Sequence, residues 1–390
     1  MKRTNKKMLG LFLAAAMMGT LLSGCGGSGG NGGAGGTTAG APAEAAKPAE
    51  SQNAPEAKDT GKETAAKNSE GTIKVGVSFA TLQEEKWERD RANMEAKAKE
   101  LGMELIVQSA NGDEELQNSQ CENLITQGVD ALIVIAQDSS AASSIVETAH
   151  EAGVPVVAHD RLIANCDLDF YVTFDCYFVG VLQAQYAVEH APTGNYFLVS
   201  GSPTDNNAHL MREGQMSVLQ PYIDKGDIKI VVDQWCEGWN PEDALKYVED
   251  GLSANNNDVA CVLTSNDGTA GGAIQALAEQ GLAGDVVVTG LDAELAACQR
   301  VVEGIQSMTI YRRFALCDET AVEAAYMLAV GENPAAKFEI SETDNGKVKV
   351  PSVLLNDPEY IFAATPENMD IVIADGWHAE ADIYKNVRKE

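Results

Sequence analysis

The chain has 390 residues, with 28 Lys plus Arg against 58 Asp plus Glu and a formal net charge of −30. The first 25 residues carry four of the cations and no acid, which leaves −34 on the remainder; so acidic a surface repels phosphate backbones and excludes nucleic acid as a partner. Apolar residues make up 45% and charged residues 22%, which suits two or three globular domains, and no apolar run beyond residue 25 is long enough to span a bilayer as a helix.

Lys2, Arg3, Lys6 and Lys7 form a basic leader, and Met8 to Leu22 follows as an apolar run with Thr20 its one polar residue. Fifteen residues make about 22 Å of helix, short for a membrane span, so an export signal is expected over residues 1–25. Its end, Leu22-Ser23-Gly24-Cys25, resembles a bacterial lipobox, which makes Cys25 the expected lipidation site. Residues 26–71 are rich in Gly, Ala, Pro, Glu and Lys and nearly free of large apolar side chains. Such a segment cannot offset its chain entropy by burial and is expected to be a disordered tether with a reach of roughly 35–40 Å. Gly27, Gly29 and Gly32 match a dinucleotide fingerprint by letter alone, since neither strand nor helix flanks them. A single acyl chain binds membranes weakly, so stable anchoring calls for several chains.

From residue 73 short β-branched runs alternate with helical segments. The runs are Ile73–Phe79, Leu105–Val107, Ala131–Ile135, Val154–Ala158, Tyr196–Val199, Ile228–Val232, Val259–Leu263 and Val286–Thr289. Residues 241–254 typify the helices: Asn240 caps, Pro241 opens the first turn, Glu242 and Asp243 face the positive end, and Leu245, Val248 and Leu252 recur at helical spacing. Continuous apolar strands separated by helices indicate doubly wound α/β parallel sheets, and the number of strands calls for two of them, hence two lobes. Seven cysteines follow Cys25, namely Cys121, Cys166, Cys176, Cys236, Cys261, Cys298 and Cys317. None forms a CxxC pair or joins a histidine cluster, so no metal site is expected and buried thiols are.

Ligands of open α/β sheets sit beyond the carboxyl ends of the strands. Those positions here hold Asp160 and Arg161, then Asp205 to Asn207, then Trp235 and Trp239, then Asn266 and Asp267, then Asp292, with Lys86 and Trp87 beyond the first strand. Carboxylates accept from hydroxyls, guanidinium donates, carboxamides do both, and indole faces pack on the C–H faces of a sugar ring. The acids Asp160, Asp205 and Asp292 disfavour an anionic ligand. Bland roles stand beside these: Trp235 as core, Asp267 as the helix cap of its pair, Asp205, Asn206 and Asn207 as turn residues, and His159 as a packed residue.

The segments HDRLI (159–163), GNYFLVSGSPTDNNA (194–208), DQWCEGWNPEDALK (233–246), SNDGTAGGAIQALAEQGL (265–282) and GLDAELA (290–296) resemble the periplasmic D-xylose-binding branch of the type I sugar-binding proteins of ABC importers. The resemblance runs from about residue 73 to about 380. It implies the type I periplasmic binding protein fold, two α/β lobes joined by three crossovers, with a monosaccharide in the cleft. One lobe is expected over 72–176 plus 313–347 and the other over 177–312 plus 348–390. It implies sugar contacts from Lys86, Trp87, Asp160, Arg161, Asp205, Asn207, Trp239, Asn266, Asp292 and Arg312. Four positions depart from the family pattern, which has Arg at Lys86, Lys at Arg312, Gln at Leu291 and Tyr at His159; the cation swaps change hydrogen-bond geometry and bear on which sugar is bound.

The function so implied is that of a lipid-anchored monomer on the outer face of the cytoplasmic membrane. It captures a monosaccharide, D-xylose first, and delivers it to an importer permease and its ATPase without a cofactor. The alternative is a sensing protein that presents another aldose, such as glucose, arabinose or galactose, to a membrane receptor. An enzyme is not expected, because no G-x-S-x-G, H-E-x-x-H or Walker pattern occurs.

Overall fold

A computed structural model describes residues 71–387. The signal segment, Cys25 and all but the last residue of the expected tether therefore lie outside the described residues.

The first lobe opens with β1 (Lys74–Phe79), α1 (Glu85–Leu101), β2 (Glu104–Ser109), α2 (Glu114–Thr126), β3 (Ala131–Val134), α3 (Ser143–Glu151), β4 (Val156–His159) and β5 (Phe170–Phe174). The chain then crosses to the second lobe for α4 (Cys176–His190), β6 (Gly194–Ser200), α5 (Asn206–Lys225), β7 (Ile228–Trp235), α6 (Pro241–Ala254), β8 (Cys261–Thr264), α7 (Asp267–Glu279), β9 (Val287–Val288), α8 (Leu295–Val302) and β10 (Thr309–Arg312). It returns for α9 (Phe314–Ala329), β11 (Ser341–Asp344) and β12 (Lys349–Leu355), and ends in the second lobe with β13 (Ile361–Ala364), α10 (Met369–Ala374) and α11 (Glu380–Ile383).

The first sheet has the order β11-β12-β5-β4-β3-β1-β2 and is parallel except for the β11–β12 hairpin. The second is β7-β6-β8-β9, extended through a parallel bridge from Leu291 to Ile310 toward the antiparallel pair β10–β13. The inner strands are covered on both faces, and β3, β4 and β8 are buried at every residue; that is why they read as unbroken apolar runs. Helices α4 and α5 pack so closely that a Cβ at Gly180 would lie 2.0 Å from the Met211 carbonyl oxygen.

The chain passes from one lobe to the other at Asp175, between β5 and α4, and back at Arg313, between β10 and α9. The third crossover does not fall at 347/348. β12 pairs in register with β5, Ser352 opposite Tyr171 through Leu355 opposite Phe174, so residues 349–355 complete the first sheet and the chain crosses over 356–360. Both sheets are parallel in their interiors, as expected, and each lobe carries one antiparallel pair at its margin. Among the described residues, no helix is long and apolar enough to cross a membrane. Seven cysteines among the described residues are free and buried.

Candidate functional site

The loops after the parallel strands of both lobes meet over one hollow with about 410 Å³ of atom-free space, part of it open to solvent. All ten residues singled out in the sequence line it: Lys86, Trp87, Asp160 and Arg161 from the first lobe, and Asp205, Asn207, Trp239, Asn266, Asp292 and Arg312 from the second. Every one of them is buried. Glu84, Cys176, Met211 and Leu291 complete the lining.

Local backbone chemistry places each group. Lys86 and Trp87 sit in the first turn of α1, whose N-terminal cap position is Glu84. Asp160 follows β4 with φ +59°, and its carbonyl oxygen accepts from Tyr171 Oη at 2.9 Å and Thr173 Oγ1 at 2.8 Å. Asp205 caps α5 by accepting from the Asn207 amide, and Asn266 caps α7 by accepting from the Thr269 amide in a reciprocal capping box. The cap is thus Asn266, not Asp267. Asp267 is buried instead and accepts from Gln306, Thr309 and the Glu294 amide. Trp239 adopts φ +63° and lies on Gly201, where an added Cβ would come 2.3 Å from the indole ring. Trp235 is half-buried against His209, ring centroids 4.7 Å apart, and does not line the hollow.

The charged groups are interlocked. Lys86 Nζ lies 2.7 Å from Asp90 and 3.3 Å from Asp160 Oδ2. Arg312 reaches Asp292 at 2.8 Å and Asp160 at 3.5 Å, with its guanidinium 5.1 Å from the Phe174 ring centre. Arg161 does not pair with its neighbour Asp160; its Nε meets Asp205 at 2.9 Å, and Trp239 Nε1 donates to the same carboxylate at 3.1 Å. Asn207 donates to Asp160 Oδ1 at 3.0 Å. The Arg161–Asp205, Asn207–Asp160 and Arg312–Asp160 contacts each join one lobe to the other, so the cleft is closed.

Burial would raise the Asp160 carboxyl, but Lys86, Arg312, His159 and Arg161 outweigh it and hold this group well below the usual carboxylate range, so it is ionised. For Asp292 and Asp205 burial wins over their arginines and the carboxyls are pushed up. Burial raises Glu84 likewise. Three buried atoms of lining residues have no hydrogen-bond partner: Glu84 Oε2, Asn207 Oδ1 and Arg312 Nε. A buried polar atom left so is costly unless something else meets it.

The arrangement has acceptors, donors and two indoles around one hollow, and no hydroxyl or thiol paired with a base for attack; the Cys176 thiol at its wall is pushed far up by burial. The sequence-based list missed Glu84, Cys176 and Met211. Glu84 resembles any acid placed at a positive helix start, and the other two read as core.

The periplasmic binding protein domain family matches residues 75–333. The D-xylose-binding periplasmic protein of Escherichia coli is 47% identical over 80% of this chain and 92% of its own length. The protein of the same name from Haemophilus influenzae is 46% identical over the same shares. A carbohydrate transporter solute-binding protein from Chloroflexus aurantiacus, solved with D-glucose, superposes with a TM-score of 0.72 at 31% identity, covering 80% of this chain and 98% of that one.

Proposed function

The chain belongs to the periplasmic binding protein family, and from that premise we propose that it captures one monosaccharide, D-xylose foremost, in the cleft between its lobes. It delivers the sugar to the permease of an ABC importer and, through it, to the ATPase, and is not itself an enzyme. One observation carries this reading: Asp160 from one lobe and Asn207, Asn266 and Asp292 from the other converge on a single hollow walled by Trp87 and Trp239. Sugar hydroxyls donate to the carboxylates and accept from Lys86, Arg161 and Arg312, while the ring's C–H faces rest on the indoles. The mixture of signs suits a neutral ligand, since an anion would face at least three carboxylates.

The sugar acts by population shift. Only the closed form lets both lobes touch it, so binding energy favours closure and the permease reads the closed shape. The Cys25 lipid and the tether hold the monomeric domain at the outer face of the cytoplasmic membrane.

Thermal melting and calorimetric titration of the purified protein test this with D-xylose, D-glucose, L-arabinose, D-galactose and D-ribose. A sugar at about 100 times its Kd stabilises the protein by roughly 2.7 kcal/mol, and D-xylose is expected to raise Tm most. A flat response to all five sinks the proposal. A larger shift with D-glucose than with D-xylose reassigns the ligand.

A further inference from the structure

A buried row of charges behind the hollow is left unused by sugar capture. His159 ends β4 fully enclosed, its Nε2 3.1 Å from Asp318 Oδ1 on α9 and 3.9 Å from Asp90 Oδ2 on α1. Its Nδ1 faces the Cys317 sulfur at 3.8 Å. Asp90 Oδ2 also accepts from Lys86 Nζ at 2.7 Å, and Lys86 in turn lies 3.3 Å from Asp160. Asn93 donates to the second oxygen of Asp318 at 2.8 Å. The row thus runs from Asp318 through His159, Asp90 and Lys86 to Asp160 at the hollow.

Charged and polar groups surround the imidazole. From α1 come Lys86, Asp90 and Asn93; from α9, Cys317 and Asp318; beyond its own strand lie Asp160 and Arg161, with Arg312 past them. With His159 neutral, Lys86 is, among the described residues, the only cation ion-paired with Asp90 and is divided between it and Asp160, while Asp318 has none. Unpaired carboxylates are expensive in a low-dielectric interior. A proton on the ring removes that imbalance.

We propose that His159 is a positioning residue, an imidazolium held between Asp318 and Asp90 that neutralises the rear of the row and leaves Lys86 aimed at Asp160 and a ligand hydroxyl. Burial disfavours the charge, but the Cys317 sulfur, Asp318 and Asp90 together raise the ring well above its ordinary range. Burial and Asp90 push Asp318 up to about 6. Asp90, His159 and Asp318 also offer ligand atoms within 4.8 Å of one another. A metal ion there would be repelled by the Lys86 ammonium already bound to Asp90, so a proton is the better occupant. The final step, aiming Lys86 at a ligand, rests on the sugar reading; the protonation of His159 does not.

Nuclear magnetic resonance of the ring nitrogens in sugar-free protein, with His159→Gln for assignment, is expected to show both nitrogens protonated at pH 7.5. A neutral ring there overturns the proposal whether or not any sugar binds. In titrations with D-xylose, His159→Gln should weaken binding about tenfold or more, and adding Asp318→Asn should restore most of it by rebalancing charge. Packing alone predicts no such rescue, so a double variant no better than the single one counts against the proposal, as does full affinity in His159→Gln. Stoichiometric Zn²⁺ uptake that is lost in His159→Gln overturns it in favour of a metal. If the unaltered protein binds none of the five sugars, the sugar reading falls, and the resonance result still decides the charge state.

Discussion

Asp160, Trp239 and Asp292 carry φ values of +59°, +63° and +98°, a region that costs non-glycine residues on the order of 1–3 kcal/mol each. Three such residues around one hollow mean that the surrounding structure holds them there, and their side chains are correspondingly well aimed. Asp292 is gripped by Arg312 at 2.8 Å. Asp292→Ala is therefore expected to abolish D-xylose binding and also to lower Tm, because Arg312 keeps only Asp160 as a counter-charge. Retained affinity by calorimetry would remove Asp292 from the site. Glu84 makes a different prediction. Its Oε2 is buried without a partner and its carboxyl is pushed up by burial, so Glu84→Gln should bind sugar within a few-fold of the original, whereas Glu84→Ala should lose roughly tenfold. Equal affinity in both variants denies Glu84 a ligand contact. Asp160, Arg161, Asp205, Asn207, Trp239, Asn266 and Asp292 were legible because they follow strands that read as apolar runs and bring sugar-binding chemistry, whereas Arg312 came from the resemblance alone, since it ends the unread β10. The positive φ values were not legible, since nothing in the letters Asp or Trp announces a left-handed backbone, and Glu84 was hidden by its everyday role at a helix start.

Helix starts double as ligand platforms here, which makes capping and binding separable by mutation. Asn266 both closes the capping box of α7 and faces the hollow. Asn266→Asp keeps a capping oxygen and so should hold Tm, while losing the amide donor and with it sugar affinity; Asn266→Ala should lose both, with about 1 kcal/mol of stability gone. A melting scan and a titration of the pair check this, and unaltered affinity in Asn266→Asp would confine the residue to capping. The same logic explains which elements could be read in advance. Buried central strands such as β3 and β8 declare themselves as unbroken apolar runs. β5 (FYVTF) was overlooked because no helix separates it from β4, contrary to the expected strand–helix–strand rhythm. β10 (TIYR) is four residues long and ends in a charge, and β11 (SETD) is wholly polar. Missing β11 concealed β12, and so moved the expected third crossover to the wrong side of a sheet strand.

At the scale of the molecule, pH and stability are linked through buried carboxyls. Burial pushes Asp267 up to about 7, and burial together with Asp267, Asp292, Glu84 and Glu85 pushes Glu294 up to about 8. A carboxyl whose folded pKa is raised contributes stability that is complete below its unfolded value near 4 and is lost as pH rises through the folded one. Asp160 is lowered, so its contribution is present above about pH 4 and lost in acid. Tm should therefore be higher at pH 6 than at pH 9, where both raised groups are ionised; a higher Tm at pH 9 contradicts their burial. Closure is held by bonds between the lobes, among them Arg161 to Asp205 at 2.9 Å, Asn207 to Asp160 at 3.0 Å, Arg312 to Asp160 at 3.5 Å, the Ser139 amide to the Thr204 carbonyl at 3.1 Å and the Leu295 amide to Glu85 at 2.9 Å. A sugar that touches both lobes would add to this set and favour the closed form. Solution scattering should show a larger radius of gyration without sugar and a contraction on adding D-xylose. Asp205→Asn should shift the sugar-free protein further open by weakening its bond to Arg161, and should require more sugar for the same contraction. Identical scattering with and without a sugar that calorimetry shows to be bound would mean that the lobes do not move, and that the importer must recognise something other than closure.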